Sequence, residues 1–189
     1  MVLLVEGLLP SYERLKEIRA SDGQHISIIK GRQQFEDFTS ALWRAYKTLM
    51  PKASILLGFD LGFLFQEEPG FEKGAIAFKT AHPSQTTLID YLRIQRANWQ
   101  QQLKVFRNEF IEHRTADREK FSDYYKPETA ELLFEAVWRT MADLFAVFIS
   151  SHFNGPFTIE EIPSAERDPT HPRRFRWVLQ RVTMSKTDS

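Results

Sequence analysis

Residues 127–152, PETAELLFEAVWRTMADLFAVFISSH, decide the fold. Two largely apolar stripes run through them at spacings of three and four: Leu133, Val137, Thr140, Leu144 and Phe148, and beside them Phe134, Trp138, Met141, Phe145 and Ile149. That is the period of an α-helix. Pro127 suits its first turn, where a missing backbone N–H costs nothing. A helix apolar on two sides is buried on two sides, either as the central helix of a bundle or as one that also serves an oligomer contact. Asn154-Gly155-Pro156 stops it.

Upstream, Ser84 is read as the N-cap of a helix running to about Arg114, with Leu92, Trp99, Leu103, Phe106, Phe110 and His113 along one stripe. From Gln33 to Met50 the residues Phe35, Phe38, Leu42, Ala45, Tyr46 and Leu49 mark a third amphipathic helix, which Pro51 is expected to end or kink. Residues 52–66 are apolar on most sides and fit either a buried helix or a buried strand, with helix favoured. Glu67 to Pro83 holds two glycines and two prolines and reads as a loop, with a short extended piece around Ala75 to Phe78. Pro10 to Ala20 reads as a short charged helix capped by Ser11, and His25 to Ile29 as a short strand. Beyond residue 152, Phe157 to Ile162 and Phe175 to Val182 have strand composition and form a small hairpin.

The expected architecture is mainly α: a bundle of four or five helices with a small C-terminal β-hairpin. Residues 1–189 make a single domain, with a helical-bundle core over 33–153 and a hairpin and tail over 154–189. At 189 residues the chain buries most of its apolar surface without staples. It has no cysteine, which removes disulfides, thiolate metal sites and cysteine nucleophiles, and suits a reducing compartment, by default the cytoplasm. Lys and Arg together number 25, as do Asp and Glu, so no global field holds a polyanion and any nucleic-acid ligand needs a local basic patch. Met1 to Leu9 is apolar but lacks a basic leader and a cleavage site, so it is not read as a signal peptide. The run Ser54 to Phe65 is too short to span a bilayer and carries Asp60, so no membrane association is expected.

One segment carries chemistry: Arg107-Asn108-Glu109-Phe110-Ile111-Glu112-His113. Arginine clamps phosphate oxygens with a planar fork, and histidine exchanges protons near neutrality, so together they fit a metal-free phosphodiester cleavage. The spacing alone is common: Arg19 to His25 has it too, but Asp22-Gly23 breaks any helix between them. The Arg107 segment stands out because Asn108 follows the arginine, an acid precedes the histidine, and the whole lies near the end of a long helix. At 100° per residue Arg107 sits about 120° round that helix from His113, so the two converge only if the helix end deviates or a second copy packs against the first.

In these residues the chain resembles the HEPN superfamily of helical-bundle domains, whose motif is an arginine, commonly a neighbouring polar residue such as asparagine, and a histidine after four to six intervening positions. The resemblance extends over residues 33–153. It implies a metal-independent endoribonuclease, often part of a toxin or phage-defence system, that dimerises so that two motifs share one cleft. By that resemblance His113 moves the proton of the ribose 2′-hydroxyl or of the leaving 5′-oxygen, Arg107 stabilises the phosphorane, Asn108 orients one of its oxygens, and Arg114 holds a flanking phosphate. No cofactor or metal is implied. The partners implied are a second copy, RNA, and an antitoxin or other protein. In the branch paired with a nucleotidyltransferase antitoxin a tyrosine stands two residues past the histidine, whereas this chain has Thr115.

The same residues also fit a non-catalytic helical module binding a protein or nucleotide. In that case His113 completes an apolar stripe and Arg107 pairs with a carboxylate. His82, His113 and His152 lack the close pairings of a helical metal site. The segment Arg173-Arg174-Phe175-Arg176-Trp177 interleaves cations with aromatics as single-strand binders do, or is an edge strand kept from aggregating by charge.

Overall fold

A computed structural model describes residues 2–22, 27–111, 126–152, 157–170, 173 and 175–179. Helix α1 is Val2–Ala20, α2 is Ile28–Leu57 and α3 is Glu68–Ala81. Helices α4 (Thr86–Gln95) and α5 (Gln101–Ile111) are one rod joined through a π-helical segment, Arg96–Gln100. Helix α6 is Pro127–His152. Strands β1 (Phe157–Glu161) and β2 (Phe175–Leu179) pair antiparallel, with Ile159 opposite Trp177 and Glu160 opposite Arg176. The chain is mainly helical and packs as a bundle with a small hairpin, as its periodicity predicts.

Helices α1, α2 and α6 pack against one another in pairs, and α5 lies on α2. Both stripes of α6 are buried within the one chain: Leu133, Val137, Thr140 and Leu144 on one, Phe134, Trp138, Met141 and Phe145 on the other. It is the central helix, and its apolar faces do not themselves call for a second copy.

Several expectations are corrected. Helix α1 starts at Val2 and passes through Pro10, where the chain was expected to begin its helix. Ser11 is not an N-cap: its hydroxyl is buried and donates to the Leu8 carbonyl at 2.7 Å. What outweighs the bond lost at Pro10 is burial, because Leu4, Leu8, Tyr12 and Leu15 all enter the core that residues 33–153 also build. The expected strand at 25–29 is absent where it is described: Ser27 caps α2 by accepting from the Lys30 N–H at 3.2 Å, and Ile28 opens the helix.

Pro51 does not end α2, since Leu49, Met50 and Ala53 around it are buried. The helix stops at Gly58, whose φ of 72° is the left-handed geometry of a helix C-terminus. The run 52–66 is therefore split. Residues 52–57 finish α2, and Asp60 accepts from the Gly62 N–H at 2.8 Å to set a 3₁₀ turn, Gly62–Phe65, that buries Phe63 and Leu64. Ser84 does not cap α4 either; it lies inside a short 3₁₀ turn, Pro83–Gln85.

The largest correction is α3, where a loop was expected. Pro69 sits in the first turn, where proline belongs, and Phe71, Ala75 and Phe78 form a buried stripe. Gly74 is a packing residue, because a Cβ there would collide with the Cβ and Cγ of Phe63. Alanine in a helix gains about 1 kcal/mol over glycine, but overpacking a filled site costs about 1–3 kcal/mol. Gly74→Ala should therefore lower stability in urea unfolding; a gain would mean that Phe63 moves freely.

Candidate functional site

Arg107 lies on α5 beside Phe106, whose buried ring meets Phe35 of α2 edge-on at 5.4 Å. Its own side chain is half buried, and its guanidinium stands 5.9 Å from the ring of Trp43 on α2. Trp43 is fixed in turn: it meets Phe65 edge-on at 6.0 Å and Tyr46 at 6.1 Å. Lys47, one turn along α2, places its ammonium 5.6 Å from the Trp43 ring and 5.7 Å from Phe65. Lys104, one turn before Arg107 on α5, pairs with Glu67, and its hydrogen bond holds that carboxyl below the usual range. Helices α2 and α5 thus bring Lys47 and Arg107 to one aromatic wall, with Lys104 one turn before Arg107 and engaged by Glu67. In a chain with no net charge, Lys47 and Arg107 make this a local concentration of positive charge.

Asn108 follows on the same helix and is half buried. His113 and Arg114 lie outside the described residues, as do the side chain of Phe110 and Thr115. The structure thus places Arg107 and Asn108 together near the end of the described part of α5.

Sequence reasoning missed the polar centre of the rod. Arg96 and Gln100 are buried in the π-helical segment, a form that often occurs at functional sites. Arg96 donates to the Leu64 carbonyl at 3.0 Å and to Glu68 at 3.1 Å, and its guanidinium lies 4.3 Å from the Phe71 ring. The Gln100 amide donates to the same carbonyl at 2.5 Å and accepts from the Tyr46 hydroxyl at 3.3 Å. Burial, opposed by the nearby Arg96 charge, pushes the Tyr46 hydroxyl far above its ordinary range. The available signal was position: Arg96 and Gln100 fall between Leu92 and Leu103 on the apolar stripe, where a polar residue needs a partner.

Arg96 holds the 3₁₀ turn and α3 against the rod. Its partner Glu68 is 68% exposed and regains water if the cation is removed. Arg96→Met should therefore cost less than about 1.5 kcal/mol. Arg96→Ala, which also empties the space of the buried stem, should cost about 2–4 kcal/mol. Equal losses in urea titrations would show instead that the charge matters and the stem does not.

A cleft of about 640 Å³ lies away from Arg107, where α1 and α6 meet the connection between the strands. Both arginines that line it are paired: Arg19 with Glu131, and Arg167 with Glu135 at 2.6 Å and Glu161 at 2.8 Å. The Tyr12 hydroxyl donates to the Pro169 carbonyl at 2.9 Å. On the hairpin, Arg176 pairs with Glu160 at 3.3 Å and Glu166 at 3.5 Å, as in a charge-protected edge strand. His82 packs against the rings of Phe59 and Phe78 at 4.7 and 4.8 Å. Among the described residues no group of three His, Asp or Glu side chains is placed to hold a metal ion, and no helix is long and apolar enough to cross a membrane.

No family model, curated protein or solved structure matches the chain.

Proposed function

We propose that this chain is a metal-independent endoribonuclease of the HEPN type, acting in the cytoplasm as a homodimer within a toxin or defence system, with an antitoxin or other protein as its regulator. The observation that supports it best is the setting of Arg107. A half-buried guanidinium near the end of α5 is held against Trp43, with Lys47 and Lys104 beside it. A phosphodiester entering there meets a planar fork already restricted in its motion, and Lys47 beside the same ring suits a flanking phosphate.

The chemistry follows from the motif. His113 takes the proton from the ribose 2′-hydroxyl, or returns one to the leaving 5′-oxygen, as the 2′-oxygen attacks phosphorus. Arg107 stabilises the charge that builds on the phosphorane oxygens, Asn108 orients one of them, and Arg114 holds a neighbouring phosphate. The products are a 2′,3′-cyclic phosphate and a free 5′-hydroxyl. The dimer rests on the angular separation of Arg107 and His113, which a second copy of the segment repairs.

Purified protein should cleave single-stranded RNA in EDTA, leaving cyclic phosphate ends. RNA that stays intact under these conditions defeats the proposal. Sedimentation of a monomer at micromolar concentration would remove the shared cleft.

A second reading keeps the basic face and drops the chemistry. Because Arg107 is engaged by Trp43, the patch also suits a non-catalytic module that holds an anionic protein or a nucleotide. RNA or nucleotide retained without cleavage, and weakened by Lys47→Ala as well as by Arg107→Ala, would select it.

A further inference from the structure

Tyr91 on α4 and Asp143 on α6 are far apart in sequence and meet where the two helices face each other. The Tyr91 hydroxyl donates to Oδ2 of Asp143 at 2.6 Å. Behind them Thr140 accepts from the Trp99 indole at 3.1 Å and donates to the Ala136 carbonyl at 2.8 Å, fixing the inner side of the pair. The outer side opens on a cleft of about 370 Å³ walled by Leu88, Leu144 and Val147, with Gln85 and Thr87 also lining it. That size and an apolar lining with few converging polar groups are ordinary for a small-molecule site.

The electrostatics of this cleft are incomplete. Burial pushes the Asp143 carboxyl above its ordinary range, while the Tyr91 hydrogen bond and the charge of Arg139 act in the opposite direction. Among the described residues the hydrogen bond made by this carboxylate is to a neutral hydroxyl. A partly desolvated anion is normally matched by a cation. Here the carboxylate lines a cleft with no lysine, arginine or histidine among the described residues that line it.

We infer that the cleft between α4 and α6 binds a small organic cation, a primary ammonium carried on an apolar body. Asp143 receives the ammonium, Tyr91 holds the carboxylate in place, and Leu88, Leu144 and Val147 enclose the body. A hard metal ion is disfavoured because Asp143 is the one carboxylate among the described residues that line the cleft. An anion would meet Asp143 directly. Neither residue belongs to the Arg107 face, so the site does not depend on the nuclease reading.

The test titrates the full chain with benzylammonium chloride, with benzyl alcohol and benzoate as neutral and anionic matches of the same shape. Benzylammonium should bind saturably, with a Kd on the order of 1 mM, the range open to so small a ligand. Asp143→Asn should weaken it about tenfold, the loss of one charge-assisted contact. Val147→Phe fills the cleft without touching the polar pair and should abolish binding at an unchanged melting temperature, which keeps the test decisive if Asp143→Asn folds poorly. Absence of saturable binding, equal binding of benzyl alcohol, or full binding by Val147→Phe overturns the site.

Discussion

His113→Ala should abolish RNA cleavage while leaving the melting temperature of the protein unchanged. Loss of a general acid or base usually costs a factor of about 100 to 10,000, well above assay noise. Arg107→Ala should cost as much, because its charge acts on the transition state more than on the bound substrate. Arg107→Lys should rescue little: an ammonium can sit near Trp43, as Lys47 does, but it cannot make the two-pronged contact with a phosphate. The competing outcome is specific. In the sequence His113 continues the three-and-four spacing of the apolar residues before it, and a packing residue at that position is replaced with loss of stability alone. If His113→Ala lowers the melting temperature of a protein that never cleaved RNA, the residue is a packing element and the nuclease reading fails.

Trp138→Ala should be the most damaging single change to stability. The indole is fully buried on the central helix, and truncations of this kind in a filled core cost about 3–5 kcal/mol. In a chain of this size that lowers the melting temperature by roughly 6–20 °C. Leu132→Ala, on the same helix but 68% exposed, is the control and should stay within about 0.5 kcal/mol of the parent. A loss at Leu132 comparable to that at Trp138 would mean that the outer face of α6 is covered in solution.

Helix α6 was legible because its apolar residues repeat at three and four without interruption and Pro127 marks its start. Helix α3 was not, because its punctuation misleads: Pro69 belongs to a first turn and Gly74 to a close approach by Phe63, yet both look like loop residues in isolation. Pro10 and Pro51 misled for a related reason. The backbone bond that each removes is local, whereas the burial of their neighbours that outweighs it comes from distant helices. Within the candidate site, Arg107 and Asn108 stand out in the sequence because a motif is a local pattern, and the RNA assay decides their role. Trp43, which holds Arg107, lies on another helix and gave no such sign. The Tyr91–Asp143 pair spans 52 positions and two helices, so no window of sequence contains it.

The packing of α1 on α6 also carries a consequence in time. Arg19 pairs with Glu131 across 112 positions, and the Tyr12 ring lies 5.6 Å from that of Phe134. At a synthesis rate of about 5–20 residues per second, those 112 positions take roughly 6–22 s to emerge. A helix forms within about a microsecond. The first helix is therefore ready long before its partner exists, and during those seconds Leu4, Leu8 and Leu15 have no α6 to cover them. The nascent chain has α2 as its early shelter, and a ribosome stalled between Leu57 and Pro127 would hold a half-closed core open to chaperones and to aggregation.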